Sequence, residues 1–139
     1  MPVHSASFTI ETRGGGHTLD LTAQVQDAVD RSSLAAGTAT VFVPGSTAAV
    51  TTLEFEPGVV ADVADLFERL APQGRCYKHE EAWHDGNGHS HLRAALLGAS
   101  LSVPFVKGRL TLGTWQQIVL VDFDNRPRHR QVQVQVMGE

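Results

Sequence analysis

The sequence predicts one α+β domain, a mixed or antiparallel sheet packed with two to three helices. Three observations lead there. The chain has 139 residues, the length of one ordinary domain; two independent cores would each be too small to be comfortable. Its C-terminal third is patterned almost wholly as strand. Only two long stretches before it carry a helical period, and they do not alternate with strands as βαβ winding requires.

Val3 to Thr12 is rich in β-branched residues and reads as a strand. Gly14-Gly15-Gly16 breaks it as a turn; it lacks the Lys-Ser/Thr ending of a phosphate loop and the spacing of a dinucleotide fingerprint. Asp20 is a helix N-cap, and Leu21, Val25, Ala28 and Val29 follow at helical spacing, with Gly37 as the exit. Residues 38–43 form a short strand stopped by Pro44-Gly45, and Thr47 to Phe55 is extended. Val59, Val63, Leu66, Phe67 and Leu70 make an apolar stripe, so 59–71 is a helix with one buried face. Residues 72–90 follow neither period, and a long irregular segment in a small domain is often functional. Ser90 caps a short helix ending at Gly98. Leu101 to Phe105 is a strand with an edge or bulge at Pro104. Within 113–123 the run Ile118-Val119-Leu120-Val121 reads as buried on both faces. Residues 130–136 alternate strictly, leaving Gln131, Gln133 and Gln135 on one face, either solvated or in a subunit contact.

Composition narrows the function. Apolar residues make up 42% and charged residues 19%, a globular balance rather than a disordered one. A formal charge of −4 argues against a nucleic-acid partner, which is normally met by a basic surface. Cys76 is the single cysteine, so no intrachain disulfide forms and a reducing compartment is expected. No apolar run approaches the roughly 20 residues of a membrane span. The start, Met1 to Ser5, shows no secretory pattern. A cytoplasmic domain without a membrane partner is the expectation.

The chemistry concentrates in one segment. Of 7 histidines, His79, His84, His89 and His91 fall between Tyr77 and Leu92, interleaved with Glu80, Glu81 and Asp85. Neutral imidazoles with a nearby carboxylate are the donors zinc and similar ions prefer, and a carboxylate can also orient an imidazole through its second N–H. The absence of paired cysteines argues against a closed structural zinc site. Spacing alone does not choose among the four imidazoles. Ser46 and Thr47, after Pro44-Gly45, offer hydroxyls and backbone N–H groups to an anion, though a tight turn with self-bonded hydroxyls is the commoner use. Gly113-Thr114-Trp115-Gln116 places a backbone that can approach a ligand beside a Trp that wants packing. Arg126, Arg128 and Arg130 read as a solvated basic turn.

Four motifs, in order along nearly the whole chain, resemble the YjbQ family, also called the secondary thiamine-phosphate synthase family. They are Tyr77-Lys78-His79, Ser90-His91-Leu92, Leu97-Gly98-Ala99-Ser100-Leu101 and Gly113-Thr114-Trp115-Gln116. Where many members carry His-Thr-Thr/Ser-Ala, this chain has Gly45-Ser46-Thr47-Ala48. A family-type imidazole is therefore missing at Gly45, and His84 or His89 is read as its replacement. The resemblance implies an α+β homotrimer with metal-binding histidines near subunit boundaries. It also implies an activity that joins a pyrimidine-methyl diphosphate to a thiazole phosphate.

Together these give a metal-dependent enzyme acting on a small anionic, phosphorylated metabolite. A divalent metal, zinc by preference, would sit on His79, His91 and either His89 or His84. Ser46, Thr47 and Thr114 would take the anion, with Lys107 or Arg109 supporting its charge, and Glu54 or Glu80 would be the base. The alternative is a non-catalytic metal- or metabolite-binding homotrimer.

Overall fold

Strand pairing sorts the chain into two antiparallel sheets. The computed structural model describes all 139 residues. In chain order the elements are β1 (Val3–Thr12), β2 (His17–Asp20), α1 (Thr22–Ser32), β3 (Ala36–Phe42), β4 (Ala48–Leu53), α2 (Pro57–Leu70), α3 (Lys78–Trp83), α4 (Gly88–Leu97), β5 (Ser100–Val106), β6 (Arg109–Leu110), β7 (Gln117–Asp122) and β8 (Arg128–Gly138). A five-stranded sheet runs β1-β8-β3-β5-β6 and a three-stranded sheet runs β2-β7-β4. Every pairing is antiparallel, so the expected α+β architecture is present.

The alternation along β8 explains the layering. Val132, Val134 and Val136 are buried, while Gln131, Gln133 and Gln135 face outward. The inward valines join Val41, Val103 and Phe105 of the same sheet, Val50, Ile118 and Leu120 of the other, and Leu21, Val25 and Val29 at α1, in one core. The run in β7 divides between two cores. Ile118 and Leu120 enter the first, whereas Val119 and Val121 join Phe67 of α2, Ala94 of α4 and Phe123 in a second. Burial on both faces of 118–121 is thus observed, and α2 and α4 cover the outer side of the smaller sheet.

Local differences from the sequence expectation have physical causes. Asp20 Oδ1 accepts the Thr22 N–H at 2.9 Å, but the helix cap falls one residue later, at Leu21. Gly37 lies inside β3, where a Cβ would collide with the Met137 carbonyl of β8. The stripe on α2 is only partly covered: Phe67 is buried, while Leu66 and Leu70 are about half exposed at 49% and 57%. Residues 72–90 are not wholly irregular, because α3 forms within them and α4 begins at Gly88, not at a Ser90 cap. Ser90 instead lies inside α4 and donates to the Phe123 carbonyl, pinning that helix to the end of β7. No helix is long and apolar enough to cross a membrane.

Candidate metal centre and its buried support

The histidine segment folds into two helical pieces that meet at their first turns. Glu80 accepts the Tyr77 N–H at 3.1 Å as part of a capping box, and its other oxygen accepts the Gly88 N–H at 2.6 Å. One carboxylate therefore ties the start of α3 to the start of α4. Glycine at 88 permits the docking, since a Cβ there would sit 2.7 Å from Tyr77 Cβ and 2.8 Å from the Glu80 oxygens. The result sets His79 and His91 side by side, ring centroids 4.4 Å apart and planes tilted by 52°.

Asp85 closes on this pair, its Oδ1 lying 3.1 Å from His79 Nε2. The Asn87 amide sits between that contact and Asp124. With its nitrogen toward Asp124 it donates to Oδ1 at 3.3 Å, and its carbonyl oxygen then faces His79 and Asp85. With the nitrogen turned the other way it donates to Asp85 Oδ1 at 2.8 Å and to His79 Nε2 at 2.9 Å. A side chain with one NH₂ thus has acceptors at both ends. Donor atoms bound to one cation at about 2.1 Å lie about 3 Å apart when they subtend a right angle. The separations of 2.8, 2.9 and 3.1 Å among Asp85, Asn87 and His79 are hydrogen-bond lengths and are also close to that spacing. No three His, Cys, Asp or Glu side chains converge on a single point, so a metal here must draw on the Asn87 carbonyl. With that amide counted, the donor set fits a divalent cation, and His91 stands alongside.

Behind Asn87 lies a buried ionic seam at the end of β7. Asp122 and Asp124 are fully buried and Arg130 is 8% exposed. Arg130 grips Asp122 with Nε at 2.7 Å and Nη2 at 2.9 Å, and Nη2 also donates to Thr47 Oγ1 at 2.7 Å. Thr47 in turn donates to Asp124 Oδ2 at 3.0 Å, and Arg128 Nε reaches the same oxygen at 2.8 Å. Burial on its own would raise both carboxyl pKa values. For Asp122 the hydrogen bonds from Arg130 and Thr12 outweigh burial and hold it below its ordinary value. For Asp124 the bonds from Asn125, Asn87, Arg128 and Thr47 do the same.

The family now follows from comparison. The family model described as "UPF0047 protein YjbQ-like" matches residues 6–139. The chain belongs to the YjbQ-like UPF0047 family. A UPF0047 protein of Archaeoglobus fulgidus is 38% identical over 130 residues, covering 94% of this chain and 98% of that one. The solved structure of a YbjQ-like protein of unknown function from Sulfolobus solfataricus superposes with a TM-score of 0.89 at 32% identity, covering 99% of this chain and 100% of the other. A hypothetical protein from Aeropyrum pernix gives a TM-score of 0.89 at 36% identity, covering 97% and 98%. The family is one of unknown function, so the chemistry of this YjbQ-like chain must be argued from its own residues.

The expected site residues divide by position. His79 and His91 come together. His89 does not join them: it is 4% exposed, with Nε2 3.4 Å from Ser90 Oγ. Burial, helped by the Arg93 charge, holds its pKa below the ordinary value. His84 ends α3 in the left-handed region at φ 56° and is exposed. Neither therefore replaces the imidazole missing at Gly45 within this chain. Glu80 has both oxygens occupied by backbone N–H groups, and Glu54 is exposed just past the far end of β4, so neither is a free base beside His79. Thr47 is committed to the seam, while Ser46 stays exposed at its mouth. Lys107 and Arg109 lie on the β5–β6 hairpin, and Thr114 just before β7 begins. All three are exposed, and Thr114 is separated from Asp122 by the length of β7.

Sequence reasoning passed over Asn87 and the seam. Arg128 and Arg130 are not a solvated turn but partners of Asp124 and Asp122. The signal was present: Asp122 and Asp124 flank Phe123 directly after a run buried on both faces, where carboxylates need partners.

Proposed function

We propose that this chain is a metal-dependent enzyme acting on a small phosphorylated metabolite. The observation that carries the reading is the meeting of His79 Nε2, Asp85 Oδ1 and the Asn87 amide within 3.1 Å of one another beside His91. His79, Asp85, Asn87 and His91 would hold a divalent ion, zinc being the first to test because imidazole nitrogen and carboxylate oxygen both suit it. Such an ion supplies Lewis acidity toward a phosphate oxygen. The chain's own residues set the stage: Glu80 locks α3 to α4, Asp124 anchors Asn87, and Ser46 stands exposed for an anion.

The family resemblance names a reaction to assay. The thiazole nitrogen attacks the pyrimidine methylene, a C–N bond forms as the C–O bond breaks, and diphosphate leaves with the electron pair. Slow thiamine-phosphate formation is the expected result, beside a different main substrate. The assay compares wild type with His91→Ala. Loss in the variant supports the reading, and equal rates contradict it. Thermal-shift screening of phosphorylated metabolites addresses the main substrate.

We read the assembly as a homotrimer. Leu66 and Leu70 on α2, and Leu92 and Leu96 on α4, are 47–64% exposed, apolar surface that association would cover. Association is also the route by which Lys107, Arg109 or Thr114 of one copy would approach the centre of another. A light-scattering mass of a single 15.0 kDa chain would overturn it. The exposed free Cys76 suits a reducing, cytoplasmic setting. One observation favours the second reading, a non-catalytic metal-binding homotrimer: neither expected base, Glu54 or Glu80, is free beside His79.

A further inference from the structure

We infer that Arg130 and the Gly45–Ser46 loop form a phosphate-binding subsite in which the glycine serves as the opening. Arg130 is nearly buried, and its guanidinium is locked edge-on by Asp122 and Thr47 through Nε and Nη2. None of the chain's hydrogen bonds is donated by its Nη1. That nitrogen points at Gly45, where an added Cβ would sit 3.0 Å away. Gly45 and Ser46 are exposed, so the approach to Nη1 is from solvent. Their backbone N–H groups, and the Ser46 hydroxyl, donate to no acceptor in the chain. Gly45 adopts φ 120°, a conformation side chains rarely take.

These groups share one chemistry. A guanidinium fixed by a carboxylate on one edge offers its remaining N–H groups without losing rotamer freedom. Successive backbone N–H groups in a glycine loop add uncharged donors to the same oxyanion. The bound group is a phosphate, accepting from Arg130 Nη1 and from the N–H groups of Gly45 and Ser46. Asp122 and Asp124 are neutralised by Arg130 and Arg128, so they do not present a free negative charge to it. Any side chain at 45 would fill the space the phosphate oxygen needs. This deepens the phosphometabolite reading by naming its anchor, but it does not need the metal.

The test uses the full-length, ¹⁵N-labelled chain treated with EDTA and titrated with inorganic phosphate at constant ionic strength. Saturating shifts at the Gly45 and Ser46 amides and the Arg130 side chain are expected. Gly45→Ala should weaken binding at least about tenfold, because a charge-assisted hydrogen bond is obstructed. If that variant does not fold, the wild-type shift map still decides. No saturating shift at these groups overturns the subsite. Shifts that appear only after zinc is added, and centre on His79 and His91, also overturn it while leaving the metal reading intact. Saturation at Arg130 in a protein that binds no zinc would uphold the subsite and remove the metal reading alone.

Discussion

Two carboxylate contacts of similar length, linked through Asn87 and Asp124, behave oppositely. Arg130–Asp122, at 2.7 Å, is a buried pair whose carboxylate is fully covered and bonded on both oxygens. His79–Asp85, at 3.1 Å, leaves side chains 28% and 48% exposed and shares its acceptors with an amide that has acceptors at both ends. In the first region both carboxylates are satisfied inside the chain, which is the mark of structure, and only Arg130 Nη1 is left open. In the second, the contacts are part-exposed and the Asn87 amide can turn to either side, which is the setting proposed above for a divalent ion. Asn87 and Asp124 join the two, so the rigid seam serves as the footing for the part-exposed centre.

Breaking the seam should have the largest effect. Arg130→Met leaves buried Asp122 without its charge partner, and removal of one member of a buried pair costs about 3–5 kcal/mol. Urea denaturation should show that loss. A loss below about 1 kcal/mol would mean that the seam is not the structural member of the comparison.

Acid should act next. The folded pKa of Asp122 lies below its ordinary value of 3.8. The unfolded chain therefore takes up the proton first. The contribution of Asp122 is complete well above pH 3.8 and is lost as pH falls through the lower, folded value. Denaturant midpoints should first ease below the ordinary histidine value of 6.5, as unfolded His89 takes up a proton that the buried imidazole resists, and then decline further below about pH 4 as the unfolded aspartate protonates. A midpoint that rises with acid would reverse the assignment.

Glu80→Gln comes third. It weakens the tie between α3 and α4 and should cost about 1 kcal/mol, the usual value of a cap. Metal binding should weaken with it. Unchanged stability together with lost turnover would mark Glu80 as a base after all and merge the two regions' roles.

The sheet was legible because its periodicity is strong. Val132, Val134 and Val136 against Gln131, Gln133 and Gln135 announce a two-sided strand, and the uninterrupted run at 118–121 announces a two-core one. The site was legible only in part. The density of histidines drew attention to His79 and His91, but pairwise choice among four imidazoles depends on α3, a helix of 6 residues with no buried side chain and hence no apolar period to read. Arg130 was readable only through Asp122 across the turn, a carboxylate that needs a partner after a doubly buried run, because the arginine-rich turn by itself looks solvated.

The smallest expected change in stability accompanies the most direct test of the centre. His79→Ala with His91→Ala should alter the denaturant midpoint of metal-free protein little, since both side chains lie near the surface; exposed substitutions typically fall within about 0.5 kcal/mol. Metal content measured by elemental analysis after dialysis against zinc should be stoichiometric in wild type and lost in the double variant. Acid should weaken binding in wild type, because a protonated imidazole does not ligate. Full zinc occupancy in the double variant would contradict the assignment of this centre.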